Sequence, residues 1–290
     1  MTNSWKGTGV ALATPMQADG AIDFVGFERL INHVISGGVN YVVLLGTTGE
    51  APTINWKESR ALIDFVSEKI AGRVPLVLGL GGNDTQGILE KLKEIKSVPV
   101  QAILSASPYY SKPSQEGIYR HYLALADVST FPVIVYNVPH RTASNVSADT
   151  TLRLAAHANI IGVKEASGDL TQCSIIARDK PDDFLLLSGD DMLTLPILAL
   201  GGKGVISVIA NAYPKEFSGM VQTALAGNFQ AAAAQHSHLL DKILLCGKEG
   251  NPTSVKAALE ALDICQRHVR LPLAPASDPL VQDFRKAGKA

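Results

Sequence analysis

Ile160-Ile161-Gly162-Val163-Lys164-Glu165-Ala166-Ser167-Gly168-Asp169 opens as an apolar, β-branched run and closes in a small, polar, glycine-bearing turn. The run reads as a buried strand. Lys164 falls where that strand ends, so its stem is expected inside and its amine at the mouth of a sheet or barrel. Burial disfavours the ammonium form, which leaves part of such an amine free as a nucleophile and suits imine chemistry. On this stretch alone the commoner outcome is a lysine that snorkels to water. The rest of the chain shifts that balance.

Working outward, short apolar runs alternate with amphipathic stretches. The strand candidates are Gly9–Ala13, Tyr41–Leu45, Pro75–Leu80, Gln101–Leu104, Val133–Tyr136, Ile160–Lys164, Phe184–Leu187 and Gly204–Val208. Helical spacing appears in Asp23–Ser36, Trp56–Ile70, Ser114–Asp127, Ser147–His157 and Pro214–Leu225, with Asp23 as an expected N-cap. Continuous apolar strands alternating with helices indicate a parallel sheet covered by helices. The length of 290 residues suits a (β/α)8 TIM barrel, typically about 250 residues, with an addition. The structural alternative is a doubly wound open sheet. Its support is Gly79-Leu80-Gly81-Gly82-Asn83-Asp84, where Asp84 stands in the place of the third glycine of a dinucleotide fingerprint. That stretch reads as a tight strand-to-helix loop.

After Gly227 the pattern changes to helix without strand: Phe229–Leu245, Pro252–Leu262 and Pro279–Lys286, with a break at Gly247, Gly250 and Pro252. The expected division is a barrel over residues 1–227 and a C-terminal helical appendage over 228–290.

Lys plus Arg number 26 and Asp plus Glu 27, for a net charge of -1, so no basic surface is available for nucleic acid. The apolar runs are strand-length, too short to span a bilayer, and the N-terminus lacks the pattern of a signal peptide. Three scattered cysteines argue against a disulfide framework and suit a cytoplasmic location. His236 and His238 diverge on a helix, and surface histidines are the simpler reading; no metal site is expected.

Function in such a barrel sits at the C-terminal strand ends. There the chain presents Gly46-Thr47-Thr48-Gly49-Glu50, able to converge amides and hydroxyls on a carboxylate or phosphate, or simply to turn. It also presents Ser107-Pro108-Tyr109-Tyr110, Tyr136-Asn137-Val138-Pro139-His140-Arg141-Thr142, Lys164, Ser188-Gly189-Asp190-Asp191 and Gly204-Val205-Ile206-Ser207. Arg141 can bind a carboxylate through two parallel hydrogen bonds. An amine, phenols, hydroxyls and a guanidinium at one mouth suggest a class I aldolase or lyase acting on an acidic keto compound.

These motifs resemble, in order and over nearly the whole chain, those of the dihydrodipicolinate (4-hydroxy-tetrahydrodipicolinate) synthase family. That family belongs to the pyruvate-dependent aldolases, with N-acetylneuraminate lyase. The glycine-rich loop, Tyr136 and Lys164 are features of the whole superfamily. Arg141 and the pair Thr47-Thr48 resemble the synthases specifically. Ser111 and His140 depart from the usual residues without bearing on the chemistry.

The resemblance implies a homotetramer, a dimer of dimers, condensing pyruvate with L-aspartate-4-semialdehyde on the diaminopimelate route to lysine. Lys164 forms the imine, Tyr136 is the general acid/base, and Thr47 links it to Tyr110 from a neighbouring subunit. Thr47 and Thr48 hold the pyruvate carboxylate, and Arg141 holds that of the semialdehyde. Gly189 and Ile206 shape the pyruvate end, and no cofactor is needed. N-acetylneuraminate lyase or a keto-sugar-acid aldolase is the alternative, disfavoured by Arg141. A barrel that only senses a keto acid is disfavoured by the proton relay. Weak inhibition by lysine is also expected. The positions aligning with an effector-binding glutamate and histidine are Gly87 and Ser59, although Asn83, Tyr109 and Trp56 match and Asp84 lies nearby.

Overall fold

The computed structural model describes residues 5–288. Eight parallel strands close into a barrel in chain order. They are β1 (Gly7–Ala11), β2 (Tyr41–Leu44), β3 (Leu76–Gly79), β4 (Ala102–Ala106), β5 (Val133–Asn137), β6 (Ile160–Glu165), β7 (Leu185–Ser188) and β8 (Gly204–Ser207). β8 pairs back onto β1, with Gly204 opposite Gly7. Closure leaves no free edge and excludes the open doubly wound sheet. Each expected strand is present, with no end shifted by more than two residues.

Side chains alternate along each strand. In β2, Tyr41 and Val43 join a cluster in the lumen with Leu104, Ile134, Tyr136 and Ile206. Val42 and Leu44 face outward into the larger core. Both faces are buried, so the strands read as unbroken apolar runs.

The covering helices bury their periodic faces outside the barrel. α1 (Phe24–Ser36) buries Phe27, Leu30, Ile31 and Val34, and Asp23 caps it by accepting from the Gly26 amide. Each such side chain contributes roughly 1.5–3 kcal/mol on burial. α2 (Trp56–Ile70) opens with a full capping box between Asn55 and Glu58. α3 (Thr85–Glu94) is capped by Asp84, and α4 (Gln115–Val128) by Ser114. A single turn, α5 (Pro139–Thr142), follows β5, then α6 (Ala148–Leu154). α7 (Leu170–Asp179) and α8 (Thr194–Ala199), like α3 and α5, lie outside the helical stretches bounded from the sequence. α8 is six residues with an internal proline, too short for periodicity to show.

α9 (Pro214–Leu225), α10 (Phe229–Gly247), α11 (Thr253–Ala261) and α12 (Asp278–Ala287) complete the chain. Leu239, Val255 and Phe284 belong to the same apolar cluster as Val10 and Phe27, so these helices pack into the barrel's outer core.

The lower end of the barrel is filled. Tyr41 is fully buried and donates to the Val205 carbonyl at 3.3 Å. Trp5 meets it edge to face at 5.5 Å. A Cβ on Gly9 would lie 2.1 Å from the Tyr41 ring, so only glycine admits it there.

Among the described residues no helix is long and apolar enough to cross a membrane, and no group of three or more His, Cys, Asp or Glu is gathered for a metal. Cys173, Cys246 and Cys265 are buried free thiols.

Candidate active site

Barrel register places the central pair. Tyr136 on β5 stands opposite Lys164 on β6, and Asn137 opposite Glu165. Because side chains alternate, the first pair faces the lumen and the second the outside. Lys164 is 4% exposed and Tyr136 7%. The Lys164 Nζ lies 4.1 Å from the centre of the Tyr136 ring, where the π face attracts an ammonium.

Gly189, just past β7, lies against the lysine stem. Its amide donates to the Glu165 carbonyl at 2.7 Å. A Cβ there would stand 3.0 Å from Lys164 Cε and 3.1 Å from Cγ. Ile206, fully buried, shares the lumen cluster with Tyr136.

The outward pair anchors the inward one. Asn137 Nδ2 donates to both Glu165 oxygens at 3.0 and 3.1 Å, Gln172 Nε2 to one at 2.9 Å, and the Ser167 amide to the other at 2.8 Å. Burial pushes the Glu165 carboxyl above its ordinary range, and the donors from Asn137, Ser167 and Gln172 oppose that shift. Asn137 Oδ1 in turn accepts from the Val146 amide.

The loop after β2 carries Thr47 and Thr48. It is bracketed by two non-glycine residues in the left-handed region, Leu45 at φ 57° and Glu50 at φ 58°. Such positions cost about 1–3 kcal/mol and persist only where surroundings enforce them. Inside, the Gly49 amide donates to Gly46 and the Glu50 amide to Thr47. Thr14 Oγ1 donates to the Gly49 carbonyl at 2.7 Å. Thr48 is buried, and Asn251 Nδ2 donates to its hydroxyl at 3.1 Å. The Asn251 carbonyl accepts from Arg141 Nη2 at 3.2 Å. Asn251 therefore bridges the threonine loop and the exposed guanidinium of α5.

Tyr110 is different. It is 88% exposed at φ 71°, so it does not join Tyr136 and Lys164 inside its own barrel. The structure thus gathers Lys164, Tyr136, Gly189 and Ile206. It links Thr48 to Arg141 through Asn251, leaves Thr47 half-buried on the same loop, and sets Tyr110 apart.

Sequence reasoning passed over Asn251, Glu165 and the buried ion pair of Glu50 with Lys256. Glu50 and Glu165 lay within quoted motifs. Lys256 left one signal, a cation within the alanine-rich helical run Thr253–Ala261.

Fold and site together define a (β/α)8-barrel lyase built around a buried strand-end lysine. Comparison with known proteins bears on the fold and the family. Residues 4–290 match the dihydrodipicolinate synthetase family. The chain is 47% identical to a 4-hydroxy-tetrahydrodipicolinate synthase of Flavobacterium psychrophilum over 275 residues, 94% of each chain. A solved dihydrodipicolinate synthase from Thermotoga maritima superposes with a TM-score of 0.96 at 36% identity, covering 99% of this chain and 98% of that one. One from Cyanidioschyzon merolae with lysine bound gives 0.94 at 35%, covering 98% and 97%. The chain belongs to the dihydrodipicolinate synthetase family.

Proposed function

We propose that the protein is a 4-hydroxy-tetrahydrodipicolinate synthase, joining pyruvate to L-aspartate-4-semialdehyde through an imine on Lys164. The observation that carries this is the Tyr136–Lys164 pair, fixed by strand register and buried in the lumen. Its near-full-length relatives bear the same activity in their names.

The Lys164 amine adds to the keto carbon of pyruvate, and water leaves to give a cationic imine. The imine withdraws electrons, a methyl proton departs, and the resulting enamine attacks the aldehyde. The amino group of the second substrate then displaces Lys164 as the ring closes. Tyr136 carries protons in these steps, being the phenol nearest the amine. Thr47 and Thr48 hold the pyruvate carboxylate beside Gly189 and Ile206, and Arg141 receives the carboxylate of the semialdehyde. The imine does the work that a cofactor would otherwise do.

Tyr110 completes the relay through Thr47 of a neighbouring chain. Its exposure and left-handed backbone support that role, because the strained turn projects an aromatic side chain away from its own barrel. Exposed Leu170 and Ile175 on α7 and Leu200 beyond α8 supply apolar surface for the second contact of a homotetramer. Three buried free thiols fit the reducing cytoplasm. The division at 227/228 belongs to the same reading, with 228–290 as the helical layer that carries Asn251.

The test is borohydride reduction with pyruvate, digestion and mass analysis. Wild type should carry the label on Lys164, and Lys164→Ala should carry none. A mutant that traps at wild-type yield would refute the assignment. An N-acetylneuraminate lyase reading is excluded if only the semialdehyde is consumed when both aldehydes are offered.

A further inference from the structure

Glu50 and Lys256 form an ion pair in which both side chains are wholly buried. The pair joins positions 206 residues apart, the end of the threonine loop and the middle of α11. Each partner makes a further hydrogen bond. Lys256 Nζ also donates to the His268 carbonyl at 2.7 Å, and Glu50 Oε2 accepts from the Arg270 amide at 3.0 Å. Arg270 continues outward to the Thr53 and Gly20 carbonyls and to both oxygens of Glu58.

A buried ion pair is weak ground for stability, since desolvation offsets its attraction, and a well-packed apolar pair does as well or better. What this pair does supply is direction. Glu50 holds a left-handed backbone, and so does Leu45 at the other end of the loop. The Glu50 amide donates to the Thr47 carbonyl, so the backbone at Glu50 is tied directly to the threonine turn. Among the described residues, side chains outside Gly46–Glu50 hold it at four places: Thr14 on the Gly49 carbonyl, Thr53 on the Glu50 carbonyl, Asn251 on Thr48, and this cluster on the Glu50 carboxylate. Two of the four, including both that reach a side chain of the loop, come from the C-terminal segment.

We propose that Glu50 is a positioning residue: Lys256 and the Arg270 amide grip its carboxylate, so the C-terminal segment holds the strained threonine loop in the shape that binds the pyruvate carboxylate. This rests on the functional reading above for the ligand, and on geometry alone for the coupling. It makes the C-terminal helices part of the pyruvate pocket without any of their residues touching pyruvate through this link.

The experiment compares Glu50→Gln/Lys256→Met, which removes both charges and leaves neither ion alone in the interior, with Glu58→Gln, which weakens the outer arm at Arg270. Lys256→Arg is the second variant, keeping charge while changing reach. Two quantities are read, thermal midpoint and the pyruvate concentration that half-saturates borohydride trapping on Lys164. The double variant should need roughly tenfold more pyruvate, the size of one misplaced charged contact, while its trapping rate at saturation stays near wild type. Lys256→Arg should shift the same way by less. Glu58→Gln should lower the thermal midpoint without moving half-saturation. A folded double variant with wild-type half-saturation overturns the proposal. So does an equal shift in Glu58→Gln, which would mean general loosening. A wild-type chain that traps no pyruvate defeats the functional reading instead. Coupling is then read from hydrogen exchange at the Thr48–Glu50 amides, faster in the double variant alone if the proposal holds and unchanged if it fails.

Discussion

Gly189→Ala adds one methyl group where the lysine stem lies. Its φ is not in the left-handed region, so alanine is torsionally free to replace it and only space decides the outcome. The new Cβ would stand 2.7 Å from Ala166 Cβ, 3.0 Å from Lys164 Cε and 3.1 Å from Lys164 Cγ. Carbon atoms rest about 3.5–4.0 Å apart, so the stem must retreat by roughly 0.5–1 Å. Overpacking of this kind costs about 1–3 kcal/mol of stability. Misplacing a reacting group by about 1 Å costs on the order of a hundredfold in rate. A ten- to hundredfold slower imine formation is therefore expected, about 1.4–2.7 kcal/mol in barrier. The assay is single-turnover trapping of pyruvate on Lys164, with folding checked by circular dichroism. Gly219→Ala is the control, a helical glycine with nothing within 4 Å of the added carbon, and should leave the rate unchanged. A folded Gly189→Ala protein that traps at the wild-type rate would refute the claim that this glycine seats the lysine.

Arg141→Ala should raise the Michaelis constant for the semialdehyde by roughly ten- to a hundredfold and for pyruvate much less; equal effects on both would remove Arg141 from its assigned role. Mixing Tyr110→Phe with Lys164→Ala chains, each inactive alone, should restore activity in hybrids, and well-formed hybrids without activity would refute sharing across the interface. His121 is 4% exposed with its Nδ1 against Thr85 Oγ1, and burial holds its pKa down to about 4 from 6.5. The folded state resists protonation that the unfolded chain accepts, so stability is whole above 6.5 and falls as pH drops toward 4. About 2 kcal/mol should be lost by pH 5; His121→Gln should show a smaller drop in urea midpoint between pH 7 and 5, and an equal drop defeats the assignment. Lysine titrated against initial rate at saturating pyruvate should leave activity intact below a millimolar. Asp84 is committed as the cap of α3, and its Oδ2 lies 2.8 Å from where a Gly87 Cβ would sit, so strong inhibition would assign Asp84 to the effector as well.

The barrel and its lysine were legible because strand alternation with helices is a local pattern. Which strand residues face the lumen was not. Tyr41 through Leu44 are all buried, so hydrophobicity carries no phase, and the decision comes from closure of the sheet. Strand ends drifted for the same reason: polar Asn137 and Glu165 continue β5 and β6 because each satisfies the other outside the barrel. Asn251 and Lys256 escaped notice because their partners Thr48 and Glu50 lie more than two hundred positions away. No periodicity within a helix records a contact of that span.

The filled floor beneath the lysine has a consequence for traffic. With Tyr41 and Trp5 packed into one end, the approach to Lys164 lies from the other, where the strands finish. On the proposed reaction, pyruvate, the water expelled from it, the second substrate and the finished ring all pass the same threshold. The molecule bound deepest must arrive first, and the one bound above it must leave before the next turn begins. Order of entry is thus written into the floor of the barrel, as much as into the groups that line its mouth.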